Sequence, residues 1–273
     1  MSHIPAIAIL GTGSMGGAIL SGLLSPGVSV SAVSVTNRTE AKAALLRSPA
    51  VTSLSTELDP DANRRAVAGA RLVIVAVKPA MVPGLLGEIA GSLEADAVVV
   101  SVAAGVTTAT MEALVPGSVL RAMPNTPSTV GRGVTGISAG SRASDGDVEL
   151  ASALFATVGE VLVVPEDRID ALSTISGSGP AYVFYLSEEL TRTAEKMGFT
   201  TSEARTMVET TFLGASELLA ASGDAPAELR RRVTSPKGTT EQAIGVLESA
   251  RLGDVFDRAT AAALARATEL ATG

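Results

Sequence analysis

Four hydroxyl side chains fall within seven positions in Thr234-Ser235-Pro236-Lys237-Gly238-Thr239-Thr240. Ser235-Pro236 breaks one helical pattern and Thr239-Thr240 opens another, so the hydroxyls gather at a helix start. Free backbone N–H groups and the helix dipole make such a start a seat for a small carboxylate. N-capping accounts for one hydroxyl, not four. Ser176-Gly177-Ser178-Gly179-Pro180-Ala181-Tyr182 is also dense in Gly and Ser. Pro180 suits a first helical turn with Ser178 or Gly179 as cap, which would leave N–H groups free for a ligand. A close helix crossing permitted by glycine explains the same residues equally well.

The chain has no Cys and a single His, His3, in the expected frayed N-terminus. Disulfides, thiolate nucleophiles and thiol metal sites are therefore excluded, and no catalytic imidazole or His-ligated metal is expected.

A third segment, Gly11-Thr12-Gly13-Ser14-Met15-Gly16, follows the apolar run Ile7-Ala8-Ile9-Leu10 and opens the helical pattern Ala18, Ile19, Leu23, Leu24. A strand before the glycines and a helix after them is the setting a dinucleotide fingerprint requires. Gly11 permits the turn, Gly13 lets backbone approach a pyrophosphate, and Gly16 allows close helix packing. A structural glycine turn is the alternative. Asn37 lies 21 positions after Gly16, about where a ribose-reading residue belongs. The strand end reads Thr36-Asn37-Arg38-Thr39, with no carboxylate before Glu40 in the next helix. Arg38 can pair with a 2′-phosphate, which favours NADP over NAD unless Arg38 is simply a solvated helix-start residue.

These segments need a scaffold. From residue 5 to about 164, apolar runs alternate with helical patterns, the signature of an α/β unit with a parallel sheet. Strands are expected at 6–10, 29–35, 71–76, 97–102, 118–123 and 159–164. Ala76-Val77-Lys78-Pro79, Ser101-Val102-Ala103-Ala104-Gly105 and Met123-Pro124-Asn125-Thr126-Pro127 end three of them and are expected to project toward the Gly11 loop. Beyond residue 165 strand signals stop, and helices are expected at 166–175, 179–197, 201–222, 225–233, 238–249 and 251–270. The expected division is 1–164, an NADP-binding Rossmann-like domain, and 165–273, a helical dimerisation and substrate domain. Val208, Phe212, Ala215, Leu218 and Leu219 form a broad apolar helix face that predicts a homodimer through this half.

Of 273 residues, 46% are hydrophobic and the net charge is −7. An acidic balance argues against nucleic acid or an anionic membrane as partner, since Arg230-Arg231-Arg232 is too short a basic cluster. Lys78, Pro79 and Pro83 interrupt the most apolar region, so no bilayer span is expected. The first apolar run has no Lys or Arg before it and reads as a strand, not a signal peptide, which points to the cytoplasm.

Taken together, the Gly loop, Ala76 to Pro79, Ala103-Ala104-Gly105, Met123 to Pro127, Ser176 to Tyr182 and Thr234 to Thr240 resemble the pyrroline-5-carboxylate reductases over essentially the whole chain. The resemblance implies NADPH-dependent reduction of a cyclic imine to proline, with NADH weaker. It also implies obligate dimers that assemble further to a decamer, with active sites using helices from both subunits. By position it implies dinucleotide contacts from Gly11, Thr12, Gly13, Ser14, Met15, Gly16, Asn37, Asn63, Ala76, Val77, Lys78, Pro79, Val102, Ala103 and Ala104. Ser235, Gly238, Thr239 and Thr240 would hold the substrate carboxylate and ring nitrogen, with Ser235 and Thr240 as the catalytic pair and Glu166 as a further pocket carboxylate. One departure stands out: Lys237 replaces the first glycine of the family's usual Ser-Pro-Gly-Gly. A turn compatible with a side chain, with the lysine in solvent, is expected over a strained one.

Imine reduction suits a chain without an imidazole, because the basic nitrogen can take its proton from solvent. The rival enzyme class, β-hydroxyacid dehydrogenases and related imine reductases, carries a lysine early in the helix after the domain boundary. Ala181-Tyr182-Val183-Phe184-Tyr185-Leu186 has none. A dinucleotide-sensing regulator would explain the Gly loop but leave the second hydroxyl-rich segment without a purpose.

Overall fold

A computed structural model describes residues 3–272. Its contacts divide the chain into two units, residues up to Ser178 together with those from Ala263 on, and Gly179–Ala262.

The first unit is built on an eight-stranded sheet: β1 (Ile7–Leu10), β2 (Val33–Asn37), β3 (Val51–Ser55), β4 (Leu72–Val75), β5 (Val98–Ser101), β6 (Ser118–Met123), β7 (Gly133–Ala139) and β8 (Gly159–Val163). The order is β3-β2-β1-β4-β5-β6-β7-β8. β1 to β6 run parallel, with Ile9 opposite Val35 on one side and Ile74 on the other. Chain direction across the sheet reverses at β1, which opens a crevice beyond Leu10.

Every residue of β1, β4 and β5 is buried. Their apolar runs supply both faces, because alternate side chains point to opposite sides of the sheet. Ile7, Ile9, Leu72, Ile74, Val98 and Val100 enter one core with Ile19, Leu23 and Phe155. Ala8, Leu10, Val73, Val75 and Val99 enter the other with Leu86, Ile89 and Met111. The helices involved are α1 (Ser14–Leu23), α2 (Glu40–Leu46), α3 (Ala62–Val67), α4 (Val82–Ile89), α5 (Thr108–Glu112), α6 (Asp145–Phe155) and α7 (Ile169–Ile175).

Two strands depart from the sequence expectation. β3, Val-Thr-Ser-Leu-Ser at the sheet edge, buries small hydroxyl residues and carries little apolar signal. β7 contains Gly133 and Gly136; a Cβ on Gly136 would lie 2.9 Å from Leu172. It runs antiparallel to β6, so the sheet is parallel-dominated rather than wholly parallel. β2 also sits later than expected and carries Asn37 as its last residue.

The second unit contains α8 (Gly179–Lys196), α9 (Thr201–Ser222), α10 (Pro226–Arg232), α11 (Thr239–Ser249) and the start of α12 (Leu252–Thr272). These bounds follow the expected helices closely because the chain marks their ends chemically. A Thr200–Glu203 capping box starts α9 and Gly223, at φ 68°, ends it. The expected helix 166–175 divides into a 3-10 turn, Glu166–Arg168, and α7. Among the described residues of the second unit only Ala194, Ala204 and Val208 are buried.

Candidate active site

A cavity of about 580 Å³ lies at the carboxyl ends of β1, β2 and β4. Gly11 turns the chain at φ 94°, its N–H donating to Thr36 O (3.1 Å). A Cβ there would lie 2.8 Å from Ala76 O, and one on Gly16 would lie 2.1 Å from Gly11 O. Both glycines are thus required by close approach. Gly13 differs: nothing lies within 4 Å of the space its Cβ would take. That opening is in front of α1, whose N-cap is Gly13 and whose first N–H groups have no side-chain cap. Backbone donors, a positive helix end and no acidic residue in the first turn make this an anion site.

At the end of β2, Thr12 Oγ1 donates to Asn37 Oδ1 (2.6 Å), while the buried Asn37 Nδ2 has no partner. An orphaned buried amide beside an open cavity is the kind of donor a bound ribose would satisfy. Arg38 is exposed and makes no ion pair among the described residues. A carboxylate does reach this region, however: Glu57 accepts the Glu40 N–H (3.0 Å). It comes from beyond β3, a strand the sequence did not announce.

The cavity brings together Gly11, Thr12, Gly13, Asn37, Arg38, Asn63, Ala76, Val77 and Lys78 of the expected cofactor residues, and adds Lys42, Thr39 and Thr56. Lys42 lines it from the third position of α2, which only the path of α2 past the end of β2 reveals. Asn63 is not free, since its amide donates to both Glu88 carboxylate oxygens (3.1 and 3.2 Å). Ser14, Met15 and Gly16 belong to the same loop and helix start but do not line the cavity. Pro79 and Ala104 instead line a neighbouring cavity of about 440 Å³ with Arg121, Met123 and Asp170. Val102 and Ala103 line neither; Val102 N–H donates to Val75 O (3.1 Å) and the buried Ala103 donates to Ser101 Oγ (3.2 Å).

Glu166 is held in the first unit. Its carboxylate accepts from the Thr108 N–H (2.7 Å) and the Thr108 hydroxyl (2.5 Å), anchoring the start of α5. Arg121, almost fully buried, donates to Asp170 (2.5 Å) and stands 3.8 Å from Glu166. Asn125 donates to Ser176 O (2.9 Å), and a Cβ on Gly177 would meet Ser173 Oγ at 2.7 Å, so packing accounts for that glycine.

In the second unit, α11 begins at Thr239 with Gly238 as N-cap and no side-chain cap. Gly238 N–H donates to Ser235 O (3.0 Å) and Lys237 N–H to Glu241 Oε2 (2.8 Å). Thr234 is spent on Arg230 O (2.6 Å). Ser235, Thr239 and Thr240 retain hydroxyls with no hydrogen bond among the described residues. Lys237 is exposed but sits at φ 60°, correcting the expectation of a relaxed turn. Lys237 is the third residue of the turn that Gly238 N–H closes onto Ser235 O, with Pro236 second, and a positive φ belongs to that position.

His3, expected in a frayed terminus, is tied to Ser29 Oγ (2.9 Å) and Ser31 Oγ (2.7 Å). Among the described residues no group of His, Cys, Asp or Glu is arranged to hold a metal, and no helix is long and apolar enough to cross a membrane.

Residues 166–270 match the family described as pyrroline-5-carboxylate reductase dimerisation, and residues 6–105 match NADP oxidoreductase coenzyme F420-dependent. The chain is 37% identical to the pyrroline-5-carboxylate reductase of Corynebacterium melassecola over 97% of its own length and 98% of that protein. It is 35% identical to that of Pseudomonas aeruginosa over 98% and 97%. A solved pyrroline-5-carboxylate reductase from Coxiella burnetii superposes with a TM-score of 0.90 at 37% identity, covering 97% of each chain. A Plasmodium falciparum pyrroline carboxylate reductase with NADP bound shares the fold, with a TM-score of 0.81 at 22% identity over 97% and 98%.

Proposed function

Because the chain belongs to the pyrroline-5-carboxylate reductase family, we propose that it reduces 1-pyrroline-5-carboxylate to L-proline with NADPH, the last step of proline biosynthesis. NADH serves more weakly. The first domain, 1–164, binds the dinucleotide; 165–273 dimerises and binds substrate.

The 580 Å³ cavity fits the cofactor by its chemistry. The open face of Gly13 and the uncapped start of α1, with Gly11, Thr12, Ser14, Met15 and Gly16 shaping it, suit a pyrophosphate. Asn37 suits a ribose and Arg38 a 2′-phosphate. Asn63 supports the cavity wall, and Ala76, Val77, Lys78, Pro79, Val102, Ala103 and Ala104 follow the strand ends on the nicotinamide side. Bound there, the cofactor supplies a hydride to the imine carbon.

The observation that carries the substrate assignment is the trio of free hydroxyls, Ser235, Thr239 and Thr240, around an uncapped helix start. Thr239 and Thr240 offer backbone donors to the substrate carboxylate, with the Ser235 hydroxyl beside them and Gly238 as the N-cap that starts the helix. The Thr240 hydroxyl orients the ring nitrogen, whose proton comes from solvent, so no imidazole is needed. Glu166 contributes by holding Thr108 and, with it, the start of α5. The working form is a homodimer that associates into a decamer in the cytoplasm, with a small molecule as its partner rather than nucleic acid or membrane.

Mixing the protein with NADPH and pyrroline-5-carboxylate and following nicotinamide absorbance tests this reading. Absence of cofactor oxidation would sink it and leave a dinucleotide sensor. In the same assay Thr240→Ala is expected to cost about 2–4 kcal/mol in kcat/KM, the scale of one preorganised donor. Unchanged kinetics would remove Thr240 from the mechanism.

A further inference from the structure

Most arginines of the first unit near the cavity are already paired: Arg47 with Glu40, Arg64 with Asp61, Arg65 with Asp59. The cations that line the cavity, Arg38, Lys42 and Lys78, have no ion pair among the described residues. Unpaired cations in one concavity mark a place where an anion completes the charge balance.

Their isolation has a local cause. Glu40, two positions from both Arg38 and Lys42, is held by Arg47 through two parallel bonds (2.5 and 2.8 Å), and Arg47 Nε is itself anchored on Ser53 O (3.1 Å). Glu57 is committed to the Glu40 N–H and Glu88 to Asn63. Of the nearby carboxylates, Glu40 is charge-paired with Arg47, and Glu57 and Glu88 are held by neutral N–H donors rather than by Arg38 or Lys42. Around the end of β2 the cavity is lined by two of these cations, Arg38 and Lys42, and by the hydroxyl residues Thr36, Thr39 and Thr56, while Glu88, which also lines it, is bonded to Asn63. That donor set suits a dianionic phosphate monoester with several acceptor oxygens.

We propose that Lys42 is the second cation on the 2′-phosphate of NADPH, sharing with Arg38 the chain's choice of the phosphorylated dinucleotide. The inference rests on the cofactor reading above. Neither side chain alone carries the discrimination, and Arg47, by holding Glu40 away, keeps the pair available to the phosphate.

Calorimetric titration of the whole protein with 2′,5′-ADP and with 5′-AMP, at low and high salt, tests it without turnover. Lys42→Met places a good helix former at an exposed position, so the variant folds as the parent does. It is expected to bind 2′,5′-ADP about tenfold more weakly, to bind 5′-AMP within about twofold of the parent, and to show a shallower salt dependence. Lys42→Arg should restore most of the loss. Parental 2′,5′-ADP affinity in Lys42→Met, or an equal loss for both nucleotides, would overturn the role of Lys42. If Arg38→Met also left the preference for 2′,5′-ADP intact, the phosphate seat would lie elsewhere and the reading beneath the proposal would fail with it.

Discussion

Lys237 is the residue at which this chain departs most visibly from the usual Ser-Pro-Gly-Gly turn, and its backbone shows the cost. A side chain at φ 60° sits where glycine has no penalty and an L-residue loses about 1 kcal/mol. Glycine restores that loss but adds freedom to the unfolded chain. Lys237→Gly is therefore expected to stabilise the protein by about 0.5–1 kcal/mol, read as a higher urea midpoint with an unchanged slope. A lower midpoint would mean that the lysine side chain contributes more than the strain removes. The requirement for glycine at positions 11 and 16 was readable from their spacing alone. The left-handed backbone at Lys237 was not, because it follows from which turn closes between Ser235 and Gly238 and so places Lys237 third.

At the scale of elements, Asp147 ties three of them together at the end of the sheet opposite the cavity. It closes the Ser144 capping box of α6, accepts from Arg71 at the start of β4 (2.7 Å), and accepts from Ser118 at the start of β6 (2.9 Å). Burial, the largest single influence, pushes its carboxyl up. Bonds from Arg71, the Ser144 backbone, and the Ser118 and Ser144 hydroxyls outweigh it and hold the pKa at about 2, below the ordinary 3.8. A folded pKa below the unfolded one means that this contribution is complete above 3.8 and is lost as pH falls toward about 2. Asp147→Ala should destabilise the protein by roughly 2–4 kcal/mol and remove that part of its acid sensitivity. Denaturant midpoints on both sides of the window decide it; an unchanged acid profile in the variant would refute the assignment. The Ser144–Asp147 capping box is local to the chain, whereas Arg71 and Ser118 are distant in sequence and meet Asp147 only through strand order. The same reason hid Lys42 and the Glu166 carboxylate's hold on Thr108.

For the whole molecule, the second unit is decisive. Its longest helix, α9, is capped at both ends and the unit is laced with ion pairs, as in Arg230–Glu248 and Arg231–Glu228, yet it buries only Ala194, Ala204 and Val208. Phe184 (69% exposed), Leu213 (60%) and Val246 (69%) would each gain about 1.5–3 kcal/mol if covered. Helices of this length in so thin a unit draw their stability from a partner surface. The Tm is accordingly expected to fall on dilution, since association stabilises by mass action. Phe184→Glu should lower it further and shift the sedimenting species toward monomer. A concentration-independent Tm with a single small species would refute dimerisation as the source of stability.

Apolar period, glycine spacing and cap residues act between neighbours along the chain, so the sequence by itself determined the α/β half, the helical half, the dinucleotide loop and the hydroxyl-rich helix start. Only the tertiary structure decided that β7 runs antiparallel, that Asn37 keeps an unmet donor, that Lys42 joins Arg38, and that Pro79 and Ala104 line a second cavity. Those outcomes depend on which distant strands lie side by side and which carboxylates other groups have already claimed. Contacts of that kind leave no periodicity in the chain.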